Sequence, residues 1–244
     1  MKNQALFICV NYNNELDSLN LIDSILKQSQ LKKIDIIISD NSKKSSPKLQ
    51  NLQRKCKNII YKKNKKNKGY FQGANSALKH YLKKNKTPEW IIISNPDIII
   101  NDSQFISKLF KIKEKTIIAP SIISIKTKND QNPFLISKPS TKKMRFYKTI
   151  YNSKILTEKY TLFHTIKSRL SKNKEKIKRE IYAPHGSFII INKEYFKRKG
   201  TLNYQGFLFG EEIFLAEEAK KENIKIIYNP TLKVFHKQNS STSK

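Results

Sequence analysis

Cysteine is almost absent: the 244 residues hold two, Cys9 and Cys56. Their number and separation exclude a disulfide framework and a cysteine-based metal site. They predict a reducing compartment, with Cys9 a small core residue. No apolar run approaches the roughly 20 residues that span a bilayer. Met1-Lys2-Asn3-Gln4 passes straight into a short strand with no apolar leader, so the expectation is a cytoplasmic protein, at most peripheral on the inner face of a membrane. No glycine-rich phosphate loop with a following Arg opens the chain, which speaks against a nucleotidyltransferase. No internal repeat is present. Acids are few, 19 against 49 Lys and Arg, which leaves a formal net charge of +30. Such a charge attracts nucleic acid, an acidic membrane surface or a phosphorylated ligand. Arg is scarce beside Lys, and base reading favours Arg for its bidentate fork. The chain is also rich in Lys, Asn and Ile together, a bias that by itself produces a solvated lysine surface with no partner.

What is present is a strand pattern. Hydrophobic residues make up only 38%, but they are clustered, so a core is attainable and global disorder is excluded. The length suits one large α/β domain, alone or with an appended subdomain. Apolar runs at residues 5–10, 34–39, 58–61 and 91–94 read as strands. Helical spacing over 15–28, a helix near 47–55, and a glycine-containing loop opening a helix from Gly69 to about Lys84 lie between them. Strand–helix alternation of this kind predicts a parallel sheet with crossover helices. A further strand is expected within 116–125. The pattern then fades from 126 to 180, where Lys-rich stretches carry Phe134, Phe146, Tyr147, Tyr151, Tyr160 and Phe163. This reads as a variable, partly helical insertion flanking an acceptor site or touching a membrane, or as an ordinary lysine-rich excursion. Regularity returns with strands at 188–191 and 224–228, a short helix at 194–199, and a helix opened by Gly210-Glu211-Glu212.

Three strands end in polar turns: Asn11-Tyr12-Asn13, Asp40-Asn41-Ser42 and Asn95-Pro96-Asp97. In a parallel sheet all three fall on the edge where open α/β folds bind ligands. Pro96 cannot donate to a ladder, so pairing stops there. Asp97 is thereby delivered where a carboxylate suits a divalent cation whose other ligands are phosphate oxygens; a turn Asp after a core strand needs no ligand at all. Glu211 and Glu212 at a helix start suit base chemistry, or simply favour the helix dipole.

In order along the chain, Val10-Asn11-Tyr12-Asn13, Asp40-Asn41-Ser42, Asn67-Lys68-Gly69-Tyr70 with Gly73-Ala74-Asn75, and Asn95-Pro96-Asp97 resemble the family 2 glycosyltransferases, in particular their rhamnosyltransferase-like bacterial branch. Gly186-Ser187-Phe188, Phe209-Gly210-Glu211-Glu212 and Asn229-Pro230 with His236 extend the likeness. It covers most of residues 5–120 and 183–236. The resemblance implies a GT-A fold: a Rossmann-like, mostly parallel sheet flanked by helices, with a helical or irregular insertion before the C-terminal motifs. It divides one domain, 1–236, into a nucleotide-sugar-binding half (1–120), a variable insertion (121–182) and an acceptor half (183–236), with a tail at 237–244. It implies inverting transfer of a sugar from a nucleotide-diphosphate donor to a hydroxyl of a growing surface glycan of capsule, lipooligosaccharide or O-antigen type, the acceptor being a glycan or lipid-linked glycan. On this reading Asn11, Tyr12, Asn13, Asp40, Asn41, Lys68, Gly69, Asn75, Asn95 and Asp97 hold the donor, with Tyr12 against the base. Asp97 binds Mn²⁺ or Mg²⁺, with His236 near the metal or structural. His185, Gly186 and Ser187 face acceptor or donor sugar, and Glu212 or Glu211 is the base. Two positions depart from the family pattern: Asn95 stands where an Asp is common, and Glu212 replaces an Asp. The alternative from a different class is a basic nucleic-acid- or membrane-binding protein with a degenerate nucleotide-sugar site. It would show steep salt dependence on nucleic acid.

Overall fold

The computed structural model describes residues 4–142, 177–207 and 210–238. The chain divides into two units, Met1–Ile136 with Lys178–Lys244, and Ser137–Ile177. The sequence expectations on Phe146, Tyr147, Tyr151, Tyr160, Phe163, Phe209 and the tail from residue 239 lie outside the described residues.

The first unit is built on a nine-stranded sheet. Strands β1 (Ala5–Asn11), β2 (Ile34–Asp40), β3 (Ile59–Lys63) and β4 (Trp90–Ser94) are parallel, in the spatial order β3-β2-β1-β4. The sheet continues through β8 (Phe188–Asn192), β6 (Ile117–Ser124), β9 (Ile226–His236) and β5 (Ile98–Ile99), while β7 (Arg179–Ile181) pairs with β9. β8 runs antiparallel to β4 and β6, and β9 runs parallel to β6.

Strands β1, β2, β4 and β8 are buried at every position because both faces are covered. On one face Leu6, Ile8, Ile91, Ile93, Ile189 and Ile191 share a core with helix α3 (Tyr70–Leu82) and the last helix, α6 (Glu211–Lys221). On the other, Ala5, Phe7, Trp90, Ile92, Phe188 and Ile190 pack with α1 (Glu15–Leu26), α2 (Pro47–Lys55) and α4 (Phe105–Phe110). A short helix, α5 (Lys193–Lys197), follows β8 directly, its N-cap Asn192 accepting from Glu194 N. Ser46 caps α2 by accepting from Leu49 N, with Pro47 in the first turn, where its missing N–H costs nothing.

Parallel register sets Asn11 opposite Asp40 and Cys9 opposite Ser94. Ser94 in turn faces Phe188. The ends of β1, β2 and β4 and the start of β8 therefore meet at one edge, the convergence expected of the three polar turns. β9 delivers His236 to the same edge, opposite Ile98.

Three elements carry no clear sequence signal. β5 is two residues long, β7 three, and α4 six, each too short to display a period. The C-terminal strand is also longer than its expected 224–228. It continues through Asn229-Pro230 to His236, with a register shift against β6 between Pro120 and Ser121. Pro230 is tolerated because a bulge needs no ladder N–H at that point.

Phe188 stacks edge-on against Phe105 at 5.8 Å and packs on Phe7 at 6.4 Å. Phe188→Ala should cost about 3–5 kcal/mol of stability, read from urea unfolding; a loss below about 1 kcal/mol would show that this core does not bear on stability as described.

Candidate active site

A cavity of about 980 Å³ opens at the shared strand edge. Tyr12, Asn41, Gly69, Asn95, Asp97, His185, Gly186, Ser187, Glu211, Glu212 and His236 line it, all of them residues singled out from the sequence. Asn11, Asn13, Asp40, Lys68 and Asn75 do not line it; they stand behind or beside it.

Asn11 and Asp40 form the buried framework of the donor side. Asn11 Nδ2 donates to Asp40 Oδ1 at 2.9 Å and to Ser42 Oγ at 3.2 Å, while Asn11 Oδ1 accepts from Ser18 Oγ and Asn14 N. Asp40 also accepts from Ser42 N at 3.0 Å and the Tyr61 hydroxyl at 2.5 Å. Burial acts to raise the Asp40 carboxyl, but these hydrogen bonds outweigh it and hold the group below its ordinary range. Asn13 turns the chain with φ 50°, its N–H on Ser42 Oγ. Lys68 points its ammonium at Ser76 Oγ, 3.2 Å away.

The rim is closed by a backbone contact. Gly69 has φ +75°, and a Cβ there would lie 1.9 Å from the Phe207 carbonyl oxygen, so only glycine fits. Asn41 Nδ2 holds the Gly69 carbonyl at 2.9 Å.

Asp97 and His236 face each other, Oδ2 to Nε2 at 3.2 Å, both more than nine-tenths buried. His236 Nδ1 lies 2.6 Å from Gln131 Oε1. The Asp97 carbonyl accepts from Lys237 N, and Lys237 Nζ pairs with Asp17 at 2.8 Å. A carboxylate oxygen and an imidazole nitrogen at one cavity wall suit Mn²⁺ or Mg²⁺ in donor type, nitrogen favouring Mn²⁺. Among the described residues no three His, Cys, Asp or Glu side chains gather as a metal cluster. A cation here would draw its remaining ligands from a bound phosphate or water.

His185 is 5.8 Å from His236, ring to ring. Burial, then the charge of His236, pushes it down to about 4. Its Nδ1 accepts from Ser187 N at 3.2 Å, so in the neutral ring the proton sits on Nε2. Phe134 stands edge-on to it at 5.8 Å.

The acidic pair opens α6 behind Gly210, whose φ is +91°. Burial raises Glu212 above the ordinary carboxylate range, although backbone N–H groups including those of Gly186 and Gly210 act in the opposite sense. A Cβ on Gly186 would approach Glu212 Oε1 to 2.6 Å, so a glycine there is what lets the carboxylate lie flat on the turn. Burial and then the Glu212 charge push Glu211 up to about 7, and its Oε2 has no hydrogen-bond partner. The Tyr70 hydroxyl is likewise buried and unpartnered, and burial, then the charges of Glu211 and Glu212, raise it.

Sequence reasoning missed Gln131 and gave Tyr70 no role of its own. Gln131 lies where the hydrophobic pattern had faded, and nothing local marks it. Tyr70 opens a helix, and its position beside the acids depends on α6, some 140 residues away.

Comparison with known proteins follows this geometry. The profile described as glycosyl transferase family 2 matches residues 7–198. A low-salt glycan biosynthesis hexosyltransferase of Haloferax volcanii, Agl10, is 27% identical over 241 residues, covering 98% of this chain and 68% of that protein. Among solved structures, GalNAc-T7 with UDP, GalNAc and Mn²⁺ superposes with a TM-score of 0.64 at 14% identity, over 99% of this chain and 44% of that one. The mannosyltransferase PcManGT of Pyrobaculum calidifontis, with GDP-Man and Mn²⁺, gives 0.58 at 13%, over 99% and 59%. S. aureus TarS 1–349 with UDP-GlcNAc gives 0.62 at 16%, over 99% and 60%. At these identities the likeness to solved structures is one of GT-A fold, and the chain spans about half of their lengths.

The buried acids set a pH dependence. A Glu whose folded pKa lies near 7, above its ordinary 4.5, removes stability as pH rises from about 4.5 through 7, because over that range the unfolded chain releases a proton that the folded state still holds. Glu211→Gln should therefore match the native protein near pH 4 and exceed it at pH 8 by as much as about 3 kcal/mol. Denaturant unfolding at the two pH values tests this, and an equal or lower stability at pH 8 would contradict it.

Proposed function

The chain belongs to glycosyl transferase family 2, and on that premise we propose that it is an inverting, metal-dependent hexosyltransferase acting from a nucleoside-diphosphate sugar onto a hydroxyl of a growing glycan. The observation that carries this reading is the meeting of Asp97–His236 and Glu211–Glu212 in one cavity whose rim is Tyr12, Asn41 and Gly69.

The nucleoside takes the β1 and β2 ends, with Tyr12 against the base and the Asn11–Asp40 framework holding the turns that meet it. Asp97 and His236 would hold Mn²⁺ or Mg²⁺, and such an ion would supply positive charge to neutralise the leaving diphosphate. The UDP and Mn²⁺ in GalNAc-T7, the GDP-Man and Mn²⁺ in PcManGT and the UDP-GlcNAc in TarS support this donor class. Glu212 serves as base. It takes the acceptor hydroxyl proton, the oxygen bonds to the sugar C1, and the bond from C1 to the diphosphate oxygen breaks with its electron pair leaving on phosphate. Attack from the face opposite the leaving group inverts C1. Glu211, whose carboxyl is pushed up by burial and by the Glu212 charge, resists a second negative charge building beside Glu212. His185, held neutral, offers Nε2–H to a sugar hydroxyl without competing for the metal.

The acceptor is a glycan or lipid-linked glycan, and the basic surface brings the enzyme to the anionic inner leaflet where such acceptors stand. Among the described residues no helix is long and apolar enough to cross a membrane.

Thermal shift of the purified protein against UDP, GDP, dTDP and CDP, with and without Mn²⁺, should give a metal-dependent rise with one base. Asp97→Ala should abolish the metal dependence, and Glu212→Gln should keep it while lowering transfer about 10²–10⁴-fold. A wild-type protein that responds to no nucleotide would contradict the reading and bring the basic binding protein forward. At low salt the protein should co-sediment with vesicles containing phosphatidylserine or phosphatidylglycerol and be released by about 0.5 M salt; failure to sediment would remove the membrane from the account.

A further inference from the structure

The turn 130–132 falls within the stretch read from the sequence as a variable insertion, yet it is tied into the first unit at every residue. Asp130 accepts from Ser121 Oγ at 2.5 Å, Ile122 N at 2.8 Å, Asn132 N at 3.1 Å and Tyr228 Oη at 2.9 Å. It thereby clamps the turn to β6 and β9. Asn132 donates to the Pro120 carbonyl and accepts from His185 N, each at 2.8 Å. Between them Gln131 donates its backbone N–H to the Ile122 carbonyl and meets the His236 ring at 2.6 Å.

The chemistry of that last contact is decisive. An amide oxygen only accepts, so the nitrogen facing it, His236 Nδ1, must carry a proton. In the neutral ring this leaves Nε2 without one, and Nε2 is the nitrogen that faces Asp97 at 3.2 Å. Without the Gln131 oxygen, a neutral His236 would be drawn to the other tautomer, with Nε2–H donated to the Asp97 carboxylate. That arrangement closes both groups to a cation. A ring nitrogen that binds a metal is characteristically set by what its other nitrogen touches.

We propose that Gln131 is a positioning residue that sets the His236 tautomer and so keeps the Asp97–His236 pair open to a divalent cation. The inference rests on the assignment of that pair as the cation site in the proposed function. It adds a residue of the cavity wall that acts through His236, and it gives the 130–132 turn a task.

The test uses the full chain and Mn²⁺ alone, titrated by electron paramagnetic resonance, with histidine tautomers read by long-range ¹H–¹⁵N NMR on the metal-free protein at pH 8. His236→Ala assigns the signal and serves as the control. Gln131→Leu removes the acceptor, and Gln131→Glu keeps one in place. The wild type should show His236 protonated at Nδ1. Gln131→Leu should move that proton to Nε2 and weaken Mn²⁺ binding about 10–100-fold, with folding checked by circular dichroism. Gln131→Glu should retain the Nδ1 proton and restore binding to within a few-fold of the wild type. If His236→Ala loses Mn²⁺ while Gln131→Leu keeps wild-type affinity and an Nδ1 proton, the positioning role is overturned and the cation site stands. If His236→Ala and Asp97→Ala both bind Mn²⁺ as the wild type does, the cation site itself is wrong and the inference falls with it.

Discussion

One side-chain amide fixes the geometry of the sheet edge on which the rest depends. Asn11 ends the strand that pairs with both β2 and β4, and its amide bridges the Asp40 carboxylate, Ser42, and the start of α1 through Ser18 and the Asn14 N–H. A buried network of this kind holds its members firmly only when every polar group is satisfied, and here the Tyr61 hydroxyl and the Ser42 N–H complete Asp40. With these turns fixed, Asn41 can reach the Gly69 carbonyl, and the Gly69 backbone can meet Phe207. The cavity rim is thus a consequence of satisfied hydrogen bonds one layer below it.

The distribution of acids gives the site its character. In a chain with formal charge +30, acids reach the strand edge at a few places, among them Asp97 and the Glu211–Glu212 pair. The surrounding lysine field draws in an anionic donor, while the local carboxylates supply a cation site and a proton acceptor. The two demands do not conflict because they operate at different range. Field from the surface is felt over roughly a Debye length, about 8–10 Å in ordinary salt, whereas the carboxylates act through contact. Burial of Glu211 against Glu212 costs stability, and unsatisfied buried groups of this sort concentrate where a ligand is to be met.

Much of the fold was legible in the sequence because β-branched runs such as Ile91-Ile92-Ile93 leave few alternatives to a doubly covered strand, and because Asn-Tyr-Asn and Asn-Pro-Asp punctuate their ends. Those signals are local. Eleven of the residues singled out as site residues line the cavity for that reason, since each sits at a strand end or helix start. The chemistry that escaped is non-local. Asp40 reads as a nucleoside ligand from its place at a strand end, yet its oxygens are engaged by Asn11, Ser42 and Tyr61 inside the protein. Gln131 meets His236 across 105 residues, and its own segment shows no period to mark it as part of the core unit. Short elements such as β5 and α4 were lost for the same reason: two or six residues cannot show an alternation.

The register shift in the C-terminal strand carries a consequence for how this chain can change in length. Asn229 stands opposite Pro120 and Lys233 opposite Ser121, so three residues of β9 are accommodated where β6 has none. Beyond that point the strand runs in step to His236, its last residue. Side chains alternate faces along a strand with a period of two, so a one-residue slip turns every following side chain to the opposite face. The bulge interrupts that alternation, so its residues can change in number without turning the strand beyond it, provided Lys233 keeps its place opposite Ser121. A change of one residue between Lys233 and His236, where the pairing is unbroken, would instead turn the histidine away from Asp97.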